Sequence, residues 1–381
     1  MPWVRVASAI VAIVVALTAI ALGGWAFTAL FAVLVWLGQL EYFALVRSKG
    51  IAPAAKTTMV VSLILLGASQ IQPQLADVIL PLAGTMICFY LLFQPQFASI
   101  ADVSASILGL FYGGYLPSFW VRLRGLVDGA PWHQELLFGG YDLTQGGIYV
   151  VMAFSCIWAS DIGSYIMGKA IGRTRLSEIS PKKTVEGAVF GLLSCLMVAL
   201  GWAYGLHWPL WWLAGGALGI LVGTAGLLGD LTESMMKRDA GVKDSGQFMP
   251  GHGGILDRAD SYVFTAPLVF YFVTLILPLL GTLTNLQNKT EKKFLSLRTS
   301  NDTCGINLTL NLFPRKDILE QFLDCIWGFV PYLGKGCLWQ GKIFCGTKLG
   351  EFYPPLIFNL ALCDNHCVEK KGRHSWQLTS P

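Results

Sequence analysis

Residues 209–261 read PLWWLAGGALGILVGTAGLLGDLTESMMKRDAGVKDSGQFMPGHGGILDRADS, so an apolar run is followed directly by a charged one. The run 209–229 is 21 residues long and carries no charged side chain. A helix needs about 20 apolar residues to cross a hydrocarbon core of roughly 30 Å. The pattern therefore predicts a transmembrane helix that ends at a charged, glycine-containing segment beside the bilayer.

The same apolar character extends over most of the chain, which is 54% hydrophobic and only 13% charged. Soluble domains carry about 25% charged residues, so the composition predicts an integral membrane protein. We expect an all-α, polytopic fold of about eight or nine transmembrane helices. The clear candidate spans are 4–23, 25–46, 78–98, 146–168, 187–206, 209–229 and 262–284, and the shorter or glycine-broken stretches 57–72 and 102–120 span, re-enter or lie at the interface.

Basic residues concentrate in two connections, 169–187 and 230–261, which are separated by two predicted spans. Two crossings return the chain to the same side, and Lys and Arg favour cytoplasmic loops. We therefore expect both connections, and any site that their polar residues form, at the cytoplasmic rim of the membrane. A bacterial plasma membrane is the expected location, with an organellar membrane as the alternative.

The segment 234–261 combines cations, carboxylates and glycines in a way that indicates phosphate chemistry. Lys and Arg neutralise phosphate oxygens, and glycines let backbone N–H groups approach a ligand closely. Carboxylates with few other protein ligands suit Mg²⁺, which also binds substrate phosphates. The cations are Lys237, Arg238, Lys243 and Arg258, the carboxylates are Asp239, Asp244, Asp257 and Asp260, and the glycines are Gly251, Gly253 and Gly254.

Asp161 lies near the end of the apolar span 146–168. A carboxylate at membrane depth is energetically expensive and marks a functional site by default. The alternative is an ordinary aspartate at a helix end. On a continuing helix Asp161 shares one face with Tyr165, Gly168 and Gly172, and the small residues permit close helix approach.

A second polar motif, SPKKTVEG at 180–187, places the adjacent cations Lys182 and Lys183 at the start of the next span. Ser180 or Thr184 is expected to cap that helix, leaving backbone donors for an anion. Phosphate binding is the favoured interpretation; a purely topological positive anchor is the alternative.

Asp230 and Glu233 are three residues apart and so lie on one helical face. Lys237 is four residues beyond Glu233, where an ordinary helix ion pair is the simplest interpretation. Asp257 is the strongest carboxylate candidate, because it follows the glycine turn and immediately precedes a span. His252, between two glycines, is assigned to substrate binding rather than to direct catalysis.

The composition changes near residue 284. We expect residues 1–284 to form the transmembrane catalytic domain and residues 285–381 to be an atypical polar, cysteine-bearing, poorly ordered extension, an appended small domain being the alternative. Its six cysteines contain no C-x-x-C pair, which argues against a zinc site. Nothing in the chain indicates a nucleic-acid partner.

Together these motifs resemble the phosphatidate cytidylyltransferase (CDP-diacylglycerol synthase) family. The resemblance consists of S-x-x-K-R-D-x-G-x-K-D at 234–244, P-G-H-G-G-I-x-D-R-x-D at 250–260, S-P-K-K-T-x-E-G at 180–187 and the Asp161 segment, in the family's order. It covers roughly residues 1–284, more weakly in the N-terminal half.

The resemblance implies that CTP and phosphatidate react to give CDP-diacylglycerol and pyrophosphate at a membrane surface, in phospholipid biosynthesis. It implies one or two Mg²⁺ ions as cofactor, held by Asp230 and Asp257 with Asp161 as a further contributor, and a homodimer as is common in the family. We expect Asp257, Asp230, Lys237 and Arg258 to be catalytic, and Ser180, Lys182, Lys183, Arg238, Lys243, His252, Gly253 and Gly254 to bind substrate phosphates.

Two other functions remain open from the sequence. A CTP-dependent lipid-alcohol kinase, such as a dolichol or phytol kinase, attacks the γ-phosphorus and needs a base for the hydroxyl. An ion transporter would use Asp161 and Asp230 to line a path within the membrane. The transporter is disfavoured because the charges cluster at span ends and in loops, without an internal repeat.

Overall fold

The structure is a computed structural model that describes residues 2–94, 98–126, 136–138, 141–246, 253–285 and 289, with side-chain environments from residue 10 onwards outside the strands. Gly251 and His252 lie outside the described residues, and so does the predicted extension beyond residue 289.

The described residues form ten α-helices and one short hairpin. Strand β1 pairs antiparallel with β2, with Leu136 opposite Leu143. Apart from this hairpin of three residues per strand the architecture is helical, so the prediction of an all-α membrane protein is confirmed. The elements are α1 (Pro2–Leu22), α2 (Gly24–Ser48), α3 (Ala55–Ile71), α4 (Pro73–Leu92), α5 (Ile100–Leu110), α6 (Leu116–Arg124), β1 (Leu136–Phe138), β2 (Tyr141–Leu143), α7 (Gln145–Ile171), α8 (Val185–Gly205), α9 (Trp211–Asp239) and α10 (Leu256–Tyr271), with π-helical turns at Phe111–Tyr115 and Phe272–Ile276.

Within the described part of the chain, six helices are long and apolar enough to cross a membrane. They are Gly24–Ser48, Pro73–Leu92, Gln145–Ile171, Val185–Gly205, Trp211–Asp239 and Leu256–Asn285. The stretch predicted at 57–72 is α3, a shorter apolar helix, and the stretch at 102–120 falls on α5, the first π-turn and α6. The number of eight or nine crossings stays a prediction.

Helix α9 differs from its predicted boundary in a way that matters for the site. The apolar pattern ends at residue 229, yet the helix continues to Asp239. Its charged residues find partners instead of ending the helix, since Asp230 pairs with Lys183 and Glu233 pairs with Lys237. Asp230 and Glu233 therefore lie on this extended helix, on the shared face that their spacing predicted.

Helices α7, α8 and α9 pack closely through small residues. A Cβ on Gly219 would lie 2.7 Å from Leu196 Cα, and one on Gly191 would lie 2.8 Å from the Ser160 carbonyl oxygen. Small residues permit this approach of helix backbones in membrane proteins. The packing fixes the end of α7 and the start of α8 against α9.

Among the residues that the structure describes, ion pairs concentrate at one end of the helical bundle. At this end, here called the charged end, lie the connection residues 49–54, 172–184, 240–246 and 253–255. Lys49 Nζ is 3.3 Å from Asp239 Oδ1, and Arg238 Nε donates to the Ile179 carbonyl at 3.3 Å. At the opposite end Arg124 Nε donates to the Ile20 carbonyl at 2.7 Å. The predicted site residues that the structure describes lie at the charged end, except Asp161, which lies within α7.

Candidate active site

Three carboxylates from α9 and α10 form an acidic cluster, namely Asp230, Glu233 and Asp260. One oxygen of each lies within 4.8 Å of the other two. Gly229 allows this approach, because a Cβ there would lie 2.5 Å from the Asp260 carbonyl oxygen. Glu233 is fully buried, and its Oε1 atom has no hydrogen-bond partner. Carboxylates so close repel one another unless a cation or protons compensate their charge.

Lys237 bridges this cluster to Asp257. Its Nζ atom lies 2.5 Å from Glu233 Oε2 and 2.5 Å from Asp257 Oδ1. The other oxygen of Asp257, Oδ2, accepts hydrogen bonds from the backbone N–H groups of Gly254 at 2.8 Å and Ser245 at 3.0 Å. Three protein donors thus contact Asp257, which leaves about one of its roughly four acceptor sites open, whereas Glu233 Oε1 has no partner at all.

The connection between α7 and α8 brings a second cation to the cluster. Lys183 Nζ forms an ion pair with Asp230 Oδ2. Thr184 caps α8 by accepting from the Gly187 N–H at 3.1 Å, so the alternative between Ser180 and Thr184 resolves to Thr184. Ser180 contributes its carbonyl, which accepts from the Lys183 N–H at 3.1 Å.

A cavity of about 1210 Å³ reaches from Lys183, Asp230 and Asp260 to apolar side chains of the bundle, while Glu233 and Lys237 lie outside its lining. It exceeds the roughly 300–1,000 Å³ of typical small-molecule pockets. Its charged lining includes Asp161, Lys182, Lys183, Asp230, Asp257 and Arg258. Its apolar lining includes Ala16, Phe31, Val35, Trp120 and Phe154.

Some of the predicted site residues line the cavity and others do not. Asp161 faces the cavity but is not a member of the acidic cluster. Arg238 and Lys243 do not line the cavity; Arg238 instead binds the Ile179 carbonyl. Gly253 adopts a φ of 88°, which favours glycine, in the turn that leads into α10.

Two groups at the site were not identified from the sequence. Glu41 on α2 accepts hydrogen bonds from Ser245 and from the start of α10, and its only sequence signal is a carboxylate within the apolar run 25–46. Tyr112 lies in the first π-turn and lines the cavity, and its hydroxyl is buried without a hydrogen-bond partner. The sequence gives no signal for it, because an aromatic residue in an apolar run normally packs in the core.

Comparison with known proteins gives matches that cover the helical region and the site residues described above. Residues 3–276 match the cytidylyltransferase family. The chain belongs to that family. It is 58% identical over 294 residues to a phosphatidate cytidylyltransferase of Synechocystis sp., covering 74% of this chain and 100% of that protein. The resemblance predicted from the motifs is thereby confirmed.

Further relatives come from a plant and from another bacterium. The chain is 42% identical over 279 residues to phosphatidate cytidylyltransferase 4, chloroplastic, of Arabidopsis thaliana, covering 68% of this chain and 70% of that protein. It is 45% identical over 129 residues to a phosphatidate cytidylyltransferase of Staphylococcus aureus, covering 33% of this chain and 49% of that protein.

Proposed function

We propose that this membrane protein transfers CMP from CTP to phosphatidate, which gives CDP-diacylglycerol and pyrophosphate for phospholipid biosynthesis. The observation that carries the proposal is the cavity, whose charged part suits a nucleotide triphosphate and whose apolar part suits lipid chains. Relatives of the chain in the cytidylyltransferase family are named phosphatidate cytidylyltransferase.

The reaction needs stabilisation of charge rather than a strong base. An oxygen of the lipid phosphate attacks the α-phosphorus of CTP, the bond to the β-phosphate breaks, and pyrophosphate leaves with its electron pair. The attacking phosphate is already ionised, so no proton has to be removed. We assign Lys182, Lys183 and Arg258, which line the cavity, to the phosphates of CTP and to the departing pyrophosphate.

We propose that Mg²⁺ is the cofactor and that Asp230, Glu233 and Asp260 hold it. The fit is supported by the mutual distances of these carboxylates and by the buried, unpartnered Oε1 of Glu233, since Mg²⁺ takes a few carboxylate oxygens and keeps several waters. When bound, such an ion neutralises negative charge on phosphate oxygens. Asp161 and Asp257 face the same cavity and are the candidates for a second ion.

Lys237 and Asp257 then act as a pair. The lysine is held between two carboxylates and cannot move freely toward a substrate. We propose that it keeps Glu233 and Asp257 at a fixed separation, while Asp257 presents its charge to the cavity beside Arg258.

We propose nine membrane crossings within the described residues. Besides the six long apolar helices, the proposed crossings are α1, α3, and the continuous run of α5, the first π-turn and α6. Asp102 at the start of this run accepts from the Ala52 N–H at 2.6 Å at the charged end, and Arg124 at its end contacts Ile20 at the opposite end. A run of that length covers roughly 37 Å at about 1.5 Å per residue.

We propose that the charged end faces the cytoplasm of a bacterial plasma membrane. The excess of Lys and Arg in its connections supports this orientation, and it places the site where soluble CTP meets membrane-bound phosphatidate. An organellar membrane is the alternative, because relatives include a plant protein named as chloroplastic. A homodimer is proposed from the family resemblance, and the protein mass measured by light scattering in detergent tests it.

The function is tested on the full chain in lipid nanodiscs with labelled CTP, phosphatidate and Mg²⁺. We expect lipid-linked CMP and pyrophosphate in equal amounts, with both lost on chelation and in Asp257→Asn. Release of CDP with phosphorylation of dolichol or phytol would reassign the protein as a lipid-alcohol kinase. Failure to convert any of these lipids would contradict the proposal.

A further inference from the structure

Glu41 on α2 connects the N-terminal part of the chain with the start of α10. Its Oε2 atom accepts from Ser245 Oγ at 3.0 Å and from the Leu256 N–H at 2.9 Å, and its Oε1 atom accepts from the Ile255 N–H at 3.0 Å. Helix α10 has no side-chain cap of its own at Ile255. A carboxylate from another helix therefore satisfies the free N–H groups at this helix start and interacts favourably with its dipole.

Two glycines make room for this carboxylate. A Cβ on Gly246 would overlap Glu41 Oε1, and a Cβ on Gly254 would overlap both Glu41 Oε2 and Ser245 Oγ. Neither glycine has the positive φ that would by itself require glycine. Their lack of a side chain is thus explained by the close approach of Glu41.

Asp257 binds residues next to those that Glu41 contacts, and both carboxylates contact Ser245. Ser245 donates its hydroxyl to Glu41 and its N–H to Asp257, while Gly254 donates its N–H to Asp257 and lies against Glu41. The two carboxylates thus share Ser245 and bind successive N–H groups at 254–256, and the remaining oxygen of Asp257 contacts Lys237. A displacement of Glu41 would therefore be passed to the Asp257–Lys237 pair.

We infer that Glu41 is a positioning residue for the transfer reaction, which acts by orienting Asp257 and, through it, Lys237. This inference rests on the proposed function. Glu41 does not line the cavity, so it acts through these residues and not by contact with substrate. Its charge matters as well as its size, because all three of its partners are donors and an amide would direct an N–H group toward them.

The kinetic test compares Glu41→Gln with Glu41→Asp and the wild type. We expect Glu41→Gln to lower kcat by roughly ten- to a hundredfold, because a misplacement of about 1 Å costs that much in rate. The KM for CTP should change little, since interactions made mainly in the transition state are the ones lost. Glu41→Asp keeps the charge and should restore part of kcat.

A glycine variant can displace the Glu41 carboxylate without changing Glu41 itself. Gly254→Ala should reproduce the fall in kcat seen with Glu41→Gln, since the added methyl pushes against Glu41 and Ser245. Gly216→Ala on α9 is the matched control, because a Cβ there has no neighbour within 4 Å. It should behave as the wild type.

A double-mutant cycle of Glu41 and Lys237 distinguishes a positioning role of Glu41 from a general loss of structure. Lys237→Arg should lower kcat by a smaller factor in the Glu41→Gln background than in the wild type, because contacting or linked residues are not additive. Equal factors in both backgrounds, a change confined to KM, or a loss of activity that follows the loss of folded protein would overturn the inference.

Hydrogen exchange gives a readout that does not depend on the reaction. The amides of Gly254, Ile255 and Leu256 should be protected in the wild type and should exchange faster in Glu41→Gln. Unchanged protection would contradict the positioning role even if the wild type proved inactive. An inactive wild type with the expected loss of protection would instead overturn the proposed function alone.

Discussion

Lys237 on α9 and Asp257 on α10 form an ion pair with 2.5 Å between Nζ and Oδ1. The same Nζ atom contacts Glu233, whose side chain is fully buried. This lysine therefore joins the two polar motifs, 234–244 and 250–260, which are separate in the sequence. The pair is screened from solvent, since the lysine side chain is 13% exposed and the aspartate side chain 10%.

Replacing Lys237 should destabilise the protein strongly. In Lys237→Met, Glu233 and Asp257 lose their shared cation while buried, and breaking such a pair costs roughly 3–5 kcal/mol. Lys49→Met is the matched control, because its pair with Asp239 is exposed on both sides and is worth about 0–1 kcal/mol. The denaturation midpoint in detergent measures both variants. Equal shifts would show that the buried network does not stabilise the fold.

Removing a carboxylate of the acidic cluster should weaken metal binding. Asp260→Asn is expected to raise the Mg²⁺ concentration for half-maximal activity by at least about tenfold, because even outer-sphere partners of metals contribute 10–100-fold. Asp239→Asn is the control, since its side chain is 72% exposed and lies outside the cluster. Binding of Mn²⁺, followed by electron paramagnetic resonance, provides a second measurement. Identical titrations for the two variants would contradict the assignment of the cluster.

Narrowing the cavity should change the preference for acyl chains. Gly38 lines the cavity, and a Cβ there has no neighbour within 4 Å, so Gly38→Leu places four carbons in the space proposed for the lipid. We expect turnover of long-chain phosphatidate to fall about tenfold or more relative to a short-chain analogue. One methylene group more or less in an apolar pocket changes substrate discrimination by about 1–3 kcal/mol. Gly67→Leu on α3, outside the cavity lining and equally free of neighbours, should keep the wild-type ratio. A parallel change in both variants would indicate a general effect of added bulk.

The proposed topology predicts which positions react from each side of the membrane. Two single-cysteine variants, Lys243→Cys at the charged end and Gln74→Cys at the start of α4, are made in a background without native cysteines. In intact cells an impermeant maleimide should label Gln74→Cys, while Lys243→Cys should react only after the membrane is opened. Labelling in the reverse order would place the charged end outside.

The membrane class and the helical architecture were predictable because each span needs only its own apolar residues. The boundaries were less predictable where charged residues find tertiary partners. Helix α9 extends ten residues past its apolar run to Asp239, because contacts with Lys183 and Lys237 stabilise its polar end. The cap at Thr184 was one of two predicted alternatives, and the loop geometry selected it.

The sequence by itself determined that the chain crosses a membrane, that its charged motifs have phosphate chemistry, and which family they resemble. These properties depend on local composition and on short spacings. Only the tertiary structure decided which carboxylates come together. In the folded protein Asp230 and Glu233 cluster with Asp260, and Asp257 forms an ion pair with Lys237. Glu41 accepts hydrogen bonds at the start of α10. Such partners depend on how distant helices pack, and hydrophobic periodicity does not encode the contact of residues about 200 positions apart.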